Sequence, residues 1–294
     1  MEGDDTWLLW QLVDSALPTG GFVASSGLET AFQLGLVTTP IQLAAFIRDS
    51  VHTFAHSSLP FVTEAYKLTE QYHHRQQQPH QRIQEEPSSP TVQPPPVRSD
   101  SKATSNRTKV AVSQLFSSFT DLDHLFHASN SHAAVRRASV AQGTSLLILY
   151  MKSFRSRSSP PSKSAGTDSN TPAAADAHDN DLARDFKAAI RLDRAKGHFP
   201  VCFGMVAQML GLSLDKSQHL FMFMFVRQIV SSAVRLNIVG PYQAQIVLAD
   251  AKTWTESATT VARSLSIDQV AQTAPMVDMM QGAHERLYSK VFNS

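Results

Sequence analysis

The stretch LFMFMFVRQIVSSAVRLNIVG, residues 220–240, is the most apolar run in the chain, and its reading decides the fold. Its length suits either a membrane span or a core helix. Arg227, Gln228 and Arg235 choose between them, because placing such groups in lipid costs on the order of several kcal/mol. The run therefore reads as a buried core helix that ends near Gly240-Pro241. Within it, Arg235 is expected to be ion-paired or to line a wet cavity, since a lone buried guanidinium carries a large desolvation cost.

Working outward, Val201, Phe203, Val206, Ala207 and Leu210 mark a preceding helix that Gly211 breaks. Upstream, Leu122, Leu125 and Phe126, then Val135 to Tyr150, predict more helices. Near the N-terminus Thr6 suits a helix cap, with Leu8 and Leu12, then Leu9 and Val13, at four-residue spacing. Leu17-Pro18-Thr19-Gly20-Gly21 follows as a tight turn, because Pro18 disfavours helix before it and Gly20 and Gly21 permit unusual backbone angles. Ser26 and Glu29 have the S-x-x-E spacing of a capping box, Gly35 suits a helix end, and Thr39-Pro40 starts a helix striped by Leu43, Ile47, Val51 and Phe54. Two-residue alternation is scarce and no strand alternates with helices. The expected fold is all-α: one bundle-like domain over residues 1–294, carrying two long disordered insertions at 72–109 and 155–180, where apolar content is too low to offset chain-ordering entropy.

Composition limits what such a protein does. Lys and Arg total 26 against 25 Asp and Glu, so no diffuse field holds nucleic acid or an anionic membrane. The acidic start Met1-Glu2-Gly3-Asp4-Asp5 lacks the positive charge of a targeting segment, and the single Cys202 suits a reducing compartment, so the expected location is cytoplasmic. No phosphate-binding G-x-x-x-x-G-K-[ST] loop is present, and His284-Glu285 lacks the second histidine of a zinc-protease helix, Tyr288 standing in its place. Cys202 in Pro200-Val201-Cys202-Phe203 reads as a buried, inert thiol. No catalytic residue, resident metal site or tightly bound cofactor is assigned. His52 and His56, four apart on one helix, could face one ligand, and His73, His74 and His80 in the first insertion could bind nickel or zinc weakly, which leaves a histidine-based metallochaperone for such an ion as an alternative reading.

Four ordered motifs carry a resemblance. Gln11-Leu12-Val13-Asp14-Ser15-Ala16-Leu17-Pro18-Thr19-Gly20-Gly21-Phe22 with Ser26-Gly27-Leu28-Glu29 is similar to the N-terminal signature of the UreF family of urease accessory proteins. Gly197-His198-Phe199-Pro200-Val201 with Phe203-Gly204, Ser231-Ser232-Ala233-Val234-Arg235-Leu236, and His284 through Phe292 are the others. The resemblance implies an all-α, non-enzymatic protein that dimerises and binds a UreD/UreH-type scaffold. Through that scaffold it recruits the nickel-carrying GTPase UreG to apo-urease, so GTP belongs to the partner and nickel is handled by the complex.

The same resemblance names candidate partner-binding residues: Glu29, Arg235, Tyr288, Lys290 and Phe292. Pro18, Gly20, Gly21, Ser26 and His198 are expected to shape the motifs, with His198 as a hydrogen-bonded helix-start residue. Two readings of Glu29 stay open, a helix cap or a contact with the GTPase assembly. The family commonly carries histidine where this chain has Ala24, and arginine where it has Lys290, which keeps the charge and loses the two-pronged guanidinium contact. The apolar tail, from about Met279 to Ser294, is expected to dock, either on its own domain or, as the resemblance favours, on the scaffold partner.

Overall fold

The computed structural model describes residues 2–14, 17–18, 24–81, 100–154 and 174–293, with side chains described for 7–14, 17–18, 24–75, 113–154 and 182–293. Among the described residues there are α-helices and no strands. The helices are α1 (Glu2–Val13), α2 (Leu28–Gln33), α3 (Pro40–Gln81), α4 (Asp100–Ser129), α5 (Ala133–Leu149), α6 (Ala174–Arg191), α7 (Phe199–Met209), α8 (Leu214–Arg235), α9 (Pro241–Ala262) and α10 (Pro275–Ala283). A π-helical turn at Tyr150–Phe154 ends α5, and a 3-10 turn at His284–Arg286 follows α10.

The long helix α3 is the spine, with α4, α7, α8 and α9 packed along it. Its start is well specified: the Thr39 hydroxyl accepts the Gln42 backbone N–H at 3.3 Å, and Gln42 Oε1 accepts the Thr39 N–H at 3.1 Å. Two orphan donors of the first turn are thus satisfied reciprocally. Leu43, Ile47, Val51, Ala55, Leu59 and Val62 then bury one face completely. Most of the run 220–240 is indeed a core helix, α8, capped by Ser213, whose side chain accepts the Lys216 N–H; the helix ends at Arg235, short of the expected Gly240-Pro241, and residues 236–240 form a turn. Phe54 of α3 stacks on Phe225 of α8 with centroids 3.7 Å apart, and Phe221 continues the aromatic layer to Phe199 and Phe203 of α7. No helix among the described residues is long and apolar enough to cross a membrane.

The helices start earlier and run further than the sequence suggests. α1 begins at Glu2, ahead of Thr6, and α3 continues through Tyr72 to Gln81, with Tyr72 buried. The first insertion is therefore helical at both margins, since α4 starts at Asp100, and α6 likewise reaches back to Ala174. Tyr72 explains the first difference: an aromatic ring with a core to enter carries the helix into a polar stretch. Residues 82–99 and 155–173, with Gly20 and Gly21, lie outside the described residues, whereas Pro18 sits in an exposed turn.

The crossing of α7 over α3 depends on Gly204. A Cβ there would lie 2.3 Å from the Val62 carbonyl oxygen and 2.9 Å from the Ala65 Cβ, closer than atoms pack. Both obstacles belong to the rigid spine, so Gly204→Ala should lower the unfolding free energy by about 2–3 kcal/mol, read as a shift in the urea midpoint at unchanged slope.

Candidate functional site

Two carboxylates among the described residues are fully buried, and each collects several hydrogen bonds. The first, Glu29, is fully buried at the start of α2. Here the expected capping box does not form. Ser26 and Gly27 both take left-handed backbone angles, φ 54° and 88°, which turn the Ser26 side chain away from the helix start. Its hydroxyl accepts from Gln228 Nε2 of α8 at 3.2 Å instead, and Ser25 Oγ accepts the Glu29 N–H at 3.4 Å.

Freed from capping, the Glu29 carboxylate binds the chain's own C-terminal tail. Oε1 accepts the Val291 N–H at 2.6 Å and Oε2 accepts the Phe292 N–H at 3.1 Å. His284 Nε2 lies 3.2 Å from Oε2; because an ionised carboxylate only accepts, that nitrogen carries the proton. Gln33 Nε2 donates to Glu29 Oε1 at 3.4 Å and to the Ser289 carbonyl at 3.0 Å. The tail thus docks on its own body, with Phe292 in the core and the Arg235 guanidinium 5.6 Å above its ring. Arg235 itself is exposed, which corrects the expectation of burial within an apolar helix: it occupies the last turn of α8, where the side chain reaches water and an aromatic face.

All five residues marked for partner binding therefore gather at this one place, though with different exposure. Glu29 and Phe292 are enclosed, whereas Arg235, Lys290, Val291 and the fully exposed Tyr288 face outward. Two further links hold the tail's base: Arg137 of α5 donates to Glu285 at 2.6 Å, and His132 pairs with Asp278 at 3.0 Å.

The second carboxylate, Asp123 of α4, is also fully buried. It accepts the consecutive backbone N–H groups of Lys196, Gly197 (2.9 Å) and His198 (2.8 Å). Gly197 has φ 80°, a left-handed angle that lets the three donors converge. Its carbonyl also presses on α5, where a Cβ on Gly143 would meet it at 2.2 Å. This clamp sets up the start of α7, with His198 as the buried helix-start residue and its Nε2 3.0 Å from His127 Nδ1.

Comparison with known proteins fits this arrangement. A family model described as UreF matches residues 37–252. This chain belongs to the UreF family. The relatives it resembles include urease accessory protein 6 of Cryptococcus neoformans, 26% identical over 98% of this chain and 96% of that one. Urease accessory protein F of Arabidopsis thaliana is 27% identical over 98% and 92%, and that of Oryza sativa subsp. indica is 25% identical over 99% and 86%. The family connection gives this chain a role in urease maturation. Glu29 and the tail lie outside the residues that the family model matches, yet the full-length relatives span both.

As a UreF-family protein the chain carries a cavity of about 130 Å³ between α3, α5, α7 and α8, lined by Ser57, Ser58, Ser139, Gln142 and Gln228 beside aromatic rings. Ala24, at the position where histidine was expected from the family, is on its wall and contributes no imidazole. Cys202 is buried, and burial pushes its thiol well above the usual range, as an inert core residue requires. His56 Nδ1 is engaged by the His52 carbonyl at 2.8 Å, and no cluster of three or more metal-ligating side chains occurs among the described residues. Sequence reasoning missed Asp123, His127, His132 and Arg137. Each acts on a residue more than seventy positions away, which no local pattern announces.

Burial pushes the His198 imidazole down to about 4, with His127, Arg136 and His124 reinforcing and Asp123 opposing. An unfolded histidine titrates near 6.5, so above that pH both states are neutral. Below it the unfolded chain takes a proton that the folded chain refuses, and stability falls from about pH 6.5 to about pH 4. One proton corresponds to about 1.4 kcal/mol per pH unit, with His127, also lowered by burial, adding in the same direction. His198→Gln should flatten this decline in thermal unfolding measured between pH 7 and 4.5. Equal slopes would show that His198 does not resist protonation.

Proposed function

We propose that this UreF-family chain is a non-enzymatic, cytoplasmic scaffold of urease maturation. As a homodimer it binds a UreD/UreH-type protein through its C-terminal tail, and that assembly brings a UreG-type GTPase carrying nickel to apo-urease. GTP is bound by the partner and nickel is handled by the complex, with no cofactor held tightly by this chain. One observation carries the reading: the tail is ordered by its own body yet turns Tyr288 and Val291 to solvent, and Leu34 at the end of α2 and Met276 and Met279 of α10 are exposed as well. Exposed apolar side chains held on a fixed backbone are what a partner surface needs, since little conformational freedom is left to lose on binding.

The tail's dual anchoring dictates how this is tested. Removing everything beyond Gly282 would take His284 and Phe292 out of the core and strip Glu29 of its donors, so loss of binding by that truncation would confuse unfolding with a lost contact. Tyr288→Ala avoids the difficulty, because the ring is fully exposed. It should leave the unfolding midpoint unchanged and weaken pull-down of the co-expressed UreD-type partner about tenfold, the loss expected for an aromatic anchor. Lys290→Arg should bind at least as well as the unmodified chain and Lys290→Ala less well. Full capture by Tyr288→Ala would remove the tail from the interface.

A further inference from the structure

We propose that Glu29 is a positioning residue of the partner-binding tail: it contacts no partner and acts by fixing the backbone at Val291 and Phe292, so that Tyr288 and Val291 face outward. The proposal rests on the scaffold reading above and adds to it the device that makes the tail presentable.

The geometry leaves Glu29 nothing to offer another protein. Its side chain is fully buried and each carboxylate oxygen already has two donors: the Val291 N–H and Gln33 Nε2 at Oε1, the Phe292 N–H and His284 Nε2 at Oε2. A carboxylate oxygen accepts about two hydrogen bonds, so this acceptor is saturated. What it controls is orientation. The chain bends at Val291 and Phe292, which turns their consecutive amides toward one carboxylate, and with both amides tied there Phe292 lies inward, at 3% exposure, and Val291 outward, at 67%. Gln33 repeats the hold one turn along α2, bridging Glu29 to the Ser289 carbonyl. One face of this short helix thus grips the tail at residues 289, 291 and 292.

Glutamine keeps the shape of Glu29 but replaces one acceptor oxygen with an NH₂ group, so one tail amide would face a donor. In full-length Glu29→Gln, hydrogen exchange at the Val291 and Phe292 amides should accelerate about tenfold or more, the loss expected for a charge-assisted hydrogen bond. Carboxypeptidase should trim the chain correspondingly faster, and capture of the UreD-type partner should fall about tenfold. In a Tyr288→Ala background the same change should cost less than about twofold further, because the surface it positions is already gone. Val291→Pro, which deletes the tail's own donor without touching α2, should reproduce the faster exchange at the Phe292 amide should Glu29→Gln fold poorly. Unchanged exchange in Glu29→Gln would overturn the proposal, as would a capture loss of equal size with and without Tyr288, which would make Glu29 a direct contact. Failure of the unmodified chain to capture the partner would overturn the scaffold reading and this proposal together, whereas capture with unchanged exchange would overturn this proposal alone.

Discussion

A carboxylate removed from water must recover its solvation from N–H donors, and this protein meets that demand twice with its own backbone. Asp123 gathers three consecutive amides at residues 196–198, and Glu29 gathers two at 291–292. Hydrogen bonds to a buried charge are about twice as strong as neutral ones, and losing one leaves a charge stranded. Both carboxylates therefore fix segments that no helix would otherwise hold: the turn that starts α7, and the tail. With α7 placed, Gly204 meets the Val62 carbonyl region of α3, and the aromatic layer of Phe199, Phe203 and Phe221 closes onto Phe54.

This division explains what was legible in the sequence. The helices were, because each writes its buried stripe at helical spacing, and α3 also writes its start in local chemistry at Thr39-Pro40. The all-α fold follows from those stripes, and the four motifs carried the resemblance to the family to which the chain belongs. Their roles were not legible. Ser26 and Glu29 have the spacing of a capping box, but two successive left-handed residues reorient the turn and hand the carboxylate to a segment 262 positions away. Arg235 follows the same logic in reverse: an apolar run suggests burial, yet its place in the last turn of α8 gives a long side chain a way out.

The two buried histidines show how completely these sites are committed to structure. His198 faces His127 through Nε2, and His284 faces Glu29 through Nε2; in each ring Nδ1 is buried without a hydrogen-bond partner among the described residues. A neutral ring places a lone pair there more cheaply than a charged ring places a proton, so burial favours the neutral form in His198. The unpartnered Nδ1 of each ring is enclosed by the protein, so neither imidazole presents an edge to solvent.

Partner recognition by the tail, as proposed above, depends on how firmly the tail is held. Phe292 and His284 anchor it from within, while Arg137 to Glu285 and His132 to Asp278 tie its base to the start of α5, so helices α2, α5, α8 and α10 meet along its length. Gly282 belongs to the same fit, since a Cβ there would come 2.6 Å from the His132 ring. Lys290 adds a bond of its own, donating to the Glu285 carbonyl at 3.2 Å. An ammonium spends one of three donors on that carbonyl and keeps the others for solvent or a partner, without the flat two-pronged geometry of a guanidinium. Binding at this surface is accordingly expected to draw its energy from the exposed Tyr288 and Val291 more than from charge pairing, because the ionic groups around them are already engaged in holding the tail in place.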